Sequence, residues 1–480
     1  LLQLGARSVY DRGEADEQFS EGIDGTFVPW LLNLKTRLLK EYPLPEGIQP
    51  VPDDVNIEPK WVLELADLNG DYAGLDLPRP QPSQDEPPPD FIPILGGITA
   101  TVHSNNRLTP QSHFQDTRHL ILTLSGNHQY EPGATVTIYP KNFPSDVNDF
   151  IKWMEWDSIA DKPLKFVSTR ASLSSALPIP NLDLNNTTPL TLRTLLTNHL
   201  DIMSIPRRSF FTHLLQHTSN PMHQERLLEF LAPEYIDELY DYTTRPRRSI
   251  LEVLSDISSV RLPWQTVCDV IPALRGRQFS IASGGVLKSP TTTTTTTTDD
   301  GEREGTGQTE AVAATAAAGH EQATSTRVDL LVAIVRYRTI IRRVRHGVAT
   351  RYIATLRPGQ ALRVTLQPSA LGFVPTAAAA ADLLRRPVVM IAPGTGVAPM
   401  RSLAWERKML RERHRSRDAD AVAIPDAERW GCKDVLLFGC RKKGVDEYFR
   451  DEWDEKELGV DVFTAWSQEQ VSSIRRLLDA

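Results

Sequence analysis

Val388-Val389-Met390-Ile391-Ala392-Pro393-Gly394-Thr395-Gly396-Val397-Ala398-Pro399-Met400-Arg401 reads as a buried strand that enters a glycine turn and continues directly into a helix. Backbone N–H groups and the positive end of the helix then converge on whatever lies above the turn, a position that suits a pyrophosphate. Pro399 stands where the common dinucleotide fingerprint has its third glycine, and a proline there starts a helix without losing a needed hydrogen bond. A Gly-Thr-Gly turn can be purely structural, but the proline variant narrows the candidates to one enzyme class.

Working outward, Pro387 to Ala392, Val435 to Gly439 and Val460 to Ala465 read as strands, with helices from Pro399 to Arg413 and Glu447 to Trp453 between them. That alternation predicts a parallel-sheet nucleotide-binding domain over 385–480. Upstream, Ile98 to His103, His119 to Leu124, Thr135 to Tyr139, Arg277 onward, Val328 to Tyr337 and Ala361 to Leu366 read as strands. They predict an antiparallel barrel over 95–149 and 241–376. Tyr352 to Leu356 reads as the start of a helix, and leucines and aromatics three and four apart predict a helical insertion over 150–240. Eight consecutive threonines, Thr291 to Thr298, lie in a tract over 286–326 with too little apolar surface to offset its ordering entropy. It is expected to be a disordered insertion without chemistry. A proline-rich acidic stretch over 47–94 has linker composition, and one amphipathic helix is expected from Trp30 to Leu39 within 1–46.

A chain of 480 residues exceeds a single core, so several domains are expected. The net charge of −8 is polarised: residues 1–100 carry 18 acidic and 7 basic side chains, net −11, and the remainder sums to +3. This argues against nucleic-acid binding. It fits either an acidic module that docks on a neutral-to-basic one or a solvated acidic surface with a linker. No apolar run approaches the roughly 20 residues that span a bilayer. Three cysteines and 11 histidines lack ligand spacing, so no metal is expected.

Arg277-Gln278-Phe279-Ser280-Ile281-Ala282-Ser283 tests the enzyme class. On a strand Arg277 and Phe279 share a face, pairing a phosphate-binding guanidinium with a ring that can stack, and Ser280 adds a hydroxyl next door. With this stretch the chain resembles the ferredoxin-reductase superfamily and, within it, the diflavin reductases that supply cytosolic iron-sulfur assembly. The resemblance implies FAD contacts at Arg277, Gln278, Phe279 and Ser280. It implies others at Gly347-Val348-Ala349-Thr350, where the family has a turn feeding a helix, and at Arg247 in Arg245-Pro246-Arg247-Arg248. It places Gly394, Thr395, Gly396, Ser467 and Gln468 at NADPH, Ser280 and Cys440 beside the hydride path, and Glu17 near FMN in a remnant of a flavodoxin-like domain. Cys440 could equally be a packed strand-end residue, and Glu17 part of a solvated acidic loop.

The departures are as informative. The family's Ser-Arg pair is Ser467-Gln468 here, which weakens recognition of the 2′-phosphate of NADPH, and alanine stands at 349 where cysteine is usual. The flavodoxin phosphate loop and the family's last segment are missing, so a chain truncated at both ends is expected, with FMN held only by an intact chain. The resemblance implies an oxidoreductase passing electrons from NADPH through FAD and FMN to an iron-sulfur protein of the anamorsin type, in the cytoplasm and as a second compartment the mitochondrion. The alternatives are a single-flavin reductase of the cytochrome-reductase type, against which the helical insertion speaks, and a truncated flavin-binding product without turnover.

Overall fold

The computed structural model describes residues 5–16, 22–50, 58–67, 85–169, 179–180, 182–183, 189–289, 325–369, 384, 386–417, 433–453 and 458–468. Two compact units divide the chain: one gathers 1–95, 139–276 and 335–355, the other 96–138, 277–334 and 356–480.

The first unit is mostly helical. It contains α1 (Gly22–Glu41), β1 (Trp61–Leu65), α2 (Pro144–Trp153), β5 (Leu164–Ser168), α3 (Leu192–Asn198), α4 (Arg208–Gln216), α5 (Pro221–Leu231), α6 (Ile236–Thr243), α7 (Ile250–Asp256) and α8 (Val267–Val270). Its remaining elements are a hairpin of β8 (Arg336–Arg338) and β9 (Val344–His346), and α9 (Val348–Thr355). Phe150, Trp156, Leu195, Phe211, Phe230 and Leu254 meet in one core, so helices on either side of 150–240 pack together with that stretch. Local chemistry sets the helix starts. Thr191 and Ser249 each close a capping box with the residue three ahead, and Asn220 caps α5 ahead of Pro221. α1 extends well beyond Trp30 to Leu39, and Phe27, Leu31 and Leu32 on it are exposed.

The proline-rich stretch is not only a linker. Trp61 to Leu65 pairs antiparallel with Ser168 to Leu164, and Leu63 is fully buried. Lys141, itself buried, donates from Nζ to the carbonyls of Pro88 and Asp90 at 2.7 and 2.6 Å and to the Asp90 carboxylate at 2.8 Å, so the end of the stretch is anchored. Burial lowers the Lys141 pKa, and those three acceptors satisfy its ammonium group. The threonine-rich tract lies outside the described residues over 290–324.

The second unit opens with an antiparallel sheet of β2 (Ile98–Arg107), β3 (Thr117–Ser125), β4 (Thr135–Ile138), β6 (Arg277–Ser280), β7 (Ser325–Ala333) and β10 (Ala361–Gln367), in the order β6-β4-β10-β2-β3-β7. Alternation decides which side is core: Ala100, Val102, Leu120, Leu122, Leu124, Val328, Leu330 and Val364 are all buried. Each buried valine or leucine among them contributes on the order of 1.5–3 kcal/mol. The bridge between Ile281 and Leu330, with the Ala282 N–H on the Asp329 carbonyl at 2.7 Å, brings the two ends of the sheet together into a nearly closed barrel.

Behind it lies a parallel sheet of β11 (Val389–Pro393), β12 (Asp434–Cys440) and β13 (Val460–Trp466), in that order, with α10 (Val397–Arg417) following the glycine turn. Met390, Ala392, Leu436 and Phe438 pack on the side of Val397 and Ala404, while Val389, Ile391, Leu437 and Phe463 on the opposite face are exposed. The helix expected from Glu447 to Trp453 is a single 3-10 turn, Arg450–Trp453. Phe449 sits at φ 59°, a left-handed conformation that no α-helix propagates through.

Candidate active site

The three parallel strands end side by side, Pro393 opposite Gly439, Gly439 opposite Ala465 and Cys440 opposite Trp466. At these carboxyl ends opens a cleft of about 810 Å³, the usual place for a ligand on a parallel sheet. Gly394 turns the chain at φ 53°, and Gly394 and Thr395 form the cleft's edge where α10 begins. Phe114 and Ala333 from the barrel close the other side.

Cys440 is buried at the end of β12 and lines the cleft. Its carbonyl accepts the Ser467 N–H at 2.9 Å and the Arg441 carbonyl accepts the Gln468 N–H at 3.0 Å, so strand pairing continues past β13 and holds Ser467 at the rim. The loop after Cys440 is fixed by the Asp446 carboxylate, which accepts the N–H groups of Arg441 and Lys442 at 2.9 and 2.8 Å. Arg441 lies over the Phe114 ring at 4.4 Å and Lys443 over Trp466 at 5.4 Å. The Tyr448 phenol is pushed up by burial and shares a 2.9 Å hydrogen bond with Thr117.

Arg277 to Ser280 forms the edge strand β6, paired only with β4. Arg277 lies opposite Ile138 and Phe279 opposite Val136, so those two share one face, and Gln278 and Ser280 share the other with Thr137 and Thr135. Arg277, Gln278 and Ser280 are exposed and Phe279 half-buried, although Val136, Thr137 and Ile138 opposite them on β4 are buried. Gln278 and Ser280 thus present their side chains at the surface of this strand.

Arg247 and Gly347 to Thr350 belong to the first unit. There a recess of about 110 Å³ is lined by Arg247, Arg345, Val348 and Arg351. Arg247 is held at φ 54° between α6 and α7. A Cβ on Gly347 would sit 2.9 Å from that of Val335, so the turn before α9 accepts only glycine there without a shift. Thr350 fastens this turn, its hydroxyl accepting the Val335 N–H at 3.0 Å and donating to the Gly347 carbonyl at 3.2 Å. Glu252 closes the capping box of α7 and also accepts Arg343 and Arg345, each at 2.6 Å, which pins the β8–β9 hairpin beside the recess. Glu17 lies outside the described residues.

Residues 97–315 match the family described as FAD binding domain, and residues 390–473 that described as oxidoreductase NAD-binding domain. The NADPH-dependent diflavin oxidoreductase 1 of Aspergillus fumigatus is 43% identical over 98% of this chain and 67% of its own length. That of Emericella nidulans is 41% identical over 99% and 68%, and that of Schizosaccharomyces pombe 30% identical over 98% and 67%. The chain belongs to the NADPH-dependent diflavin oxidoreductases. FAD, NADPH and FMN are accordingly the cofactors of the family.

For such an oxidoreductase the two sites fit what they have to hold. The recess combines Val348 at the start of α9 with three guanidinium groups, and Arg345 Nε is a buried donor with no acceptor among the described residues. A diphosphate would supply that acceptor. Sequence reasoning missed Arg345 and Arg351, although the run Arg342-Arg343-Val344-Arg345-His346 directly before Gly347 carried the signal. It also missed Phe114 and Trp466 on the cleft. No pattern in the chain could pair Phe114 with residues more than 300 positions away.

Burial alone would raise the Glu252 carboxyl, but hydrogen bonds from Arg345, the Ser249 backbone and Arg343 together bring it down to about 2 from an ordinary 4.5. A depressed carboxylate stabilises the fold above its unfolded pKa, and that contribution is lost as pH falls through the folded one. Hydrogen exchange at residues 336–346 should therefore accelerate as pH falls from 4.5 towards 2, after correction for intrinsic rates. Glu252→Gln should show the faster exchange already at pH 7 and flatten the profile.

Proposed function

We propose that this chain moves electrons from NADPH to FAD, and with FMN onward to an iron-sulfur protein of the anamorsin type in cytosolic iron-sulfur cluster assembly. The cytoplasm is its place, with mitochondria as a second compartment. The observation that carries the reading is the joining, in one compact unit, of the exposed Arg277-to-Ser280 strand with the Gly394–Gly396 turn and its cleft. When bound, FAD would supply acceptance of a hydride from C4 of NADPH and release of the two electrons singly.

The chain's own residues do the holding. Arg277 binds the diphosphate of FAD, Phe279 stacks on the flavin, and Gln278 and Ser280 present polar groups at the strand end; Arg247 and the Gly347-to-Thr350 turn, in the other unit, are read as further FAD contacts. Gly394, Thr395 and Gly396 receive the NADPH diphosphate at the start of α10. Cys440 and Ser280 act by packing and local polarity against the rings, not as nucleophiles. Ser467 and Arg441 line the cleft, Gln468 pairs with the Arg441 carbonyl and Lys443 lies over Trp466, and these charges favour a ligand with an added phosphate.

Denaturing the purified chain should release about one FAD per molecule, and NADPH should bleach the flavin absorbance of the native protein. Absence of FAD would overturn the reading. Cofactor preference adds a second check: Gln468→Arg should raise the NADPH-to-NADH ratio of kcat/KM about tenfold, as one charge-assisted bond to the 2′-phosphate provides. Lys443→Ala should lower it by a similar factor.

A further inference from the structure

Ser280 is followed by Ile281-Ala282-Ser283-Gly284-Gly285, and the last four of these residues sit directly on α10. Arg401, 2% exposed, donates from Nη1 to the Ala282 carbonyl at 3.0 Å and to Asp329 Oδ2 at 3.2 Å. Its Nε and Nη2 reach the Glu452 carboxylate at 2.7 and 2.8 Å. The Ser402 hydroxyl donates to the Ser283 carbonyl at 2.7 Å, and the Gly285 N–H donates to the Glu406 carboxylate at 2.8 Å. Both glycines are obligatory for this approach. A Cβ on Gly284 would lie 2.0 Å from the Ser402 carbonyl oxygen, and one on Gly285 would lie 2.3 Å from that of Trp405.

These contacts place a buried guanidinium two residues from the end of the flavin strand and five from Gly396. We propose that Arg401 is a positioning residue: with the Gly284-Gly285 seat it fixes the spacing between the Arg277-to-Ser280 strand and the Gly394–Gly396 turn, and through it the distance over which the nicotinamide passes its hydride to the flavin. The inference rests on the function proposed above. A role in stability alone is a poor explanation of the arrangement, because an apolar side chain of similar volume would hold α10 as well as a buried ion pair does. Nor does removing Arg401 strand a bare charge. Asp329 keeps His119 at 3.1 Å and Arg327 at 2.7 and 3.0 Å, and Glu452 keeps Trp405 Nε1 at 3.0 Å. The contact with no remaining side-chain substitute is the one to the Ala282 carbonyl.

The test compares the full 480-residue chain with Arg401→Met, Arg401→Lys and the gentler Ser402→Ala. FAD content, hydrogen exchange at residues 280–286, and stopped-flow reduction by NADPH and by its C4-deuterated form are read for each. Arg401→Met should keep its FAD, exchange at 280–286 at least tenfold faster, and lose about 10- to 100-fold in limiting reduction rate with KM little changed, the size of effect that a displacement of about 1 Å produces. The deuterium isotope effect should grow, Lys should restore part of the rate, and Ser402→Ala should shift exchange and rate in the same direction by about threefold. Unchanged exchange, or faster exchange with an unchanged limiting rate, overturns the proposal, and Ser402→Ala decides by the same criteria where Arg401→Met does not fold. A wild-type chain that binds FAD but is not reduced by NADPH overturns the functional reading instead, and the link between seat and rate falls with it.

Discussion

Arg277→Ala should yield a folded protein that loses most of its FAD on gel filtration. Arg277 is an exposed residue on an edge strand, and the residue opposite it, Ile138, is buried by the barrel itself, so truncation leaves the core intact. What is lost is an exposed guanidinium on the same face of the strand as the half-buried Phe279 ring. Hydrogen bonds to a charged partner contribute about 1.5–3 kcal/mol, which corresponds to roughly a 10- to 150-fold weaker hold on FAD. Arg277→Lys should recover only part of this, since an ammonium group cannot reproduce the two parallel bonds of a guanidinium fork. The ratio of flavin absorbance to protein, followed as FAD is titrated back, gives both numbers. Full FAD retention in Arg277→Ala would mean that Arg277 does not hold the diphosphate.

The local signals in the chain were strong where chemistry is local. Val388 to Arg401 fold as strand, turn and helix because an apolar run, two glycines and a helix-starting proline each specify their own neighbourhood. The barrel strands were legible for the same reason, since alternation reports a half-buried surface without reference to the partner. Contacts between distant segments were not. Trp61 to Leu65 is five residues among prolines, and only Leu164 to Ser168, about a hundred positions on, makes it a strand. Gly284-Gly285 looks like any flexible loop until the carbonyls of Ser402 and Trp405 are found against it. Arg345 reads as one of a basic run, and its value depends on Glu252, 93 residues earlier. The motifs and the resemblance they carry thus implied the cofactors, while the contacts that fasten the β8–β9 hairpin and the Gly284-Gly285 seat became visible only in three dimensions.

Asp434→Ala should cost more stability than any other single change to the nucleotide-binding sheet. Asp434 is fully buried at the start of β12 and accepts Arg407 in a two-pronged pair at 2.7 and 2.9 Å, Arg411 at 2.7 Å and the Val388 N–H at 3.0 Å. One carboxylate therefore ties α10 to both β12 and the residue preceding β11. Removing it takes from the buried Arg407 the carboxylate that accepts two of its bonds, a loss of about 3–5 kcal/mol for a broken buried pair. Unfolding of the unit that contains the sheet should fall by about 6–20 °C in calorimetry, at 2–4 °C per kcal/mol for a unit of this size. The other unit, which shares none of these bonds, should keep its own transition. Replacing a buried pair by apolar side chains of similar volume is often neutral, so Asp434→Leu combined with Arg407→Leu should regain more than half of the loss. Arg411, 14% exposed, can still turn its charge towards water. A single variant within about 1 kcal/mol of the parent, the range of a surface pair, would show that Asp434 is as dispensable as an exposed ion pair. The functional consequence separates this residue from Arg401. Asp434 lies at the amino end of β12 and the cleft at its carboxyl end, so Asp434→Asn, which keeps one acceptor for Arg407, should lower the unfolding temperature while leaving KM for NADPH and the limiting reduction rate near those of the parent.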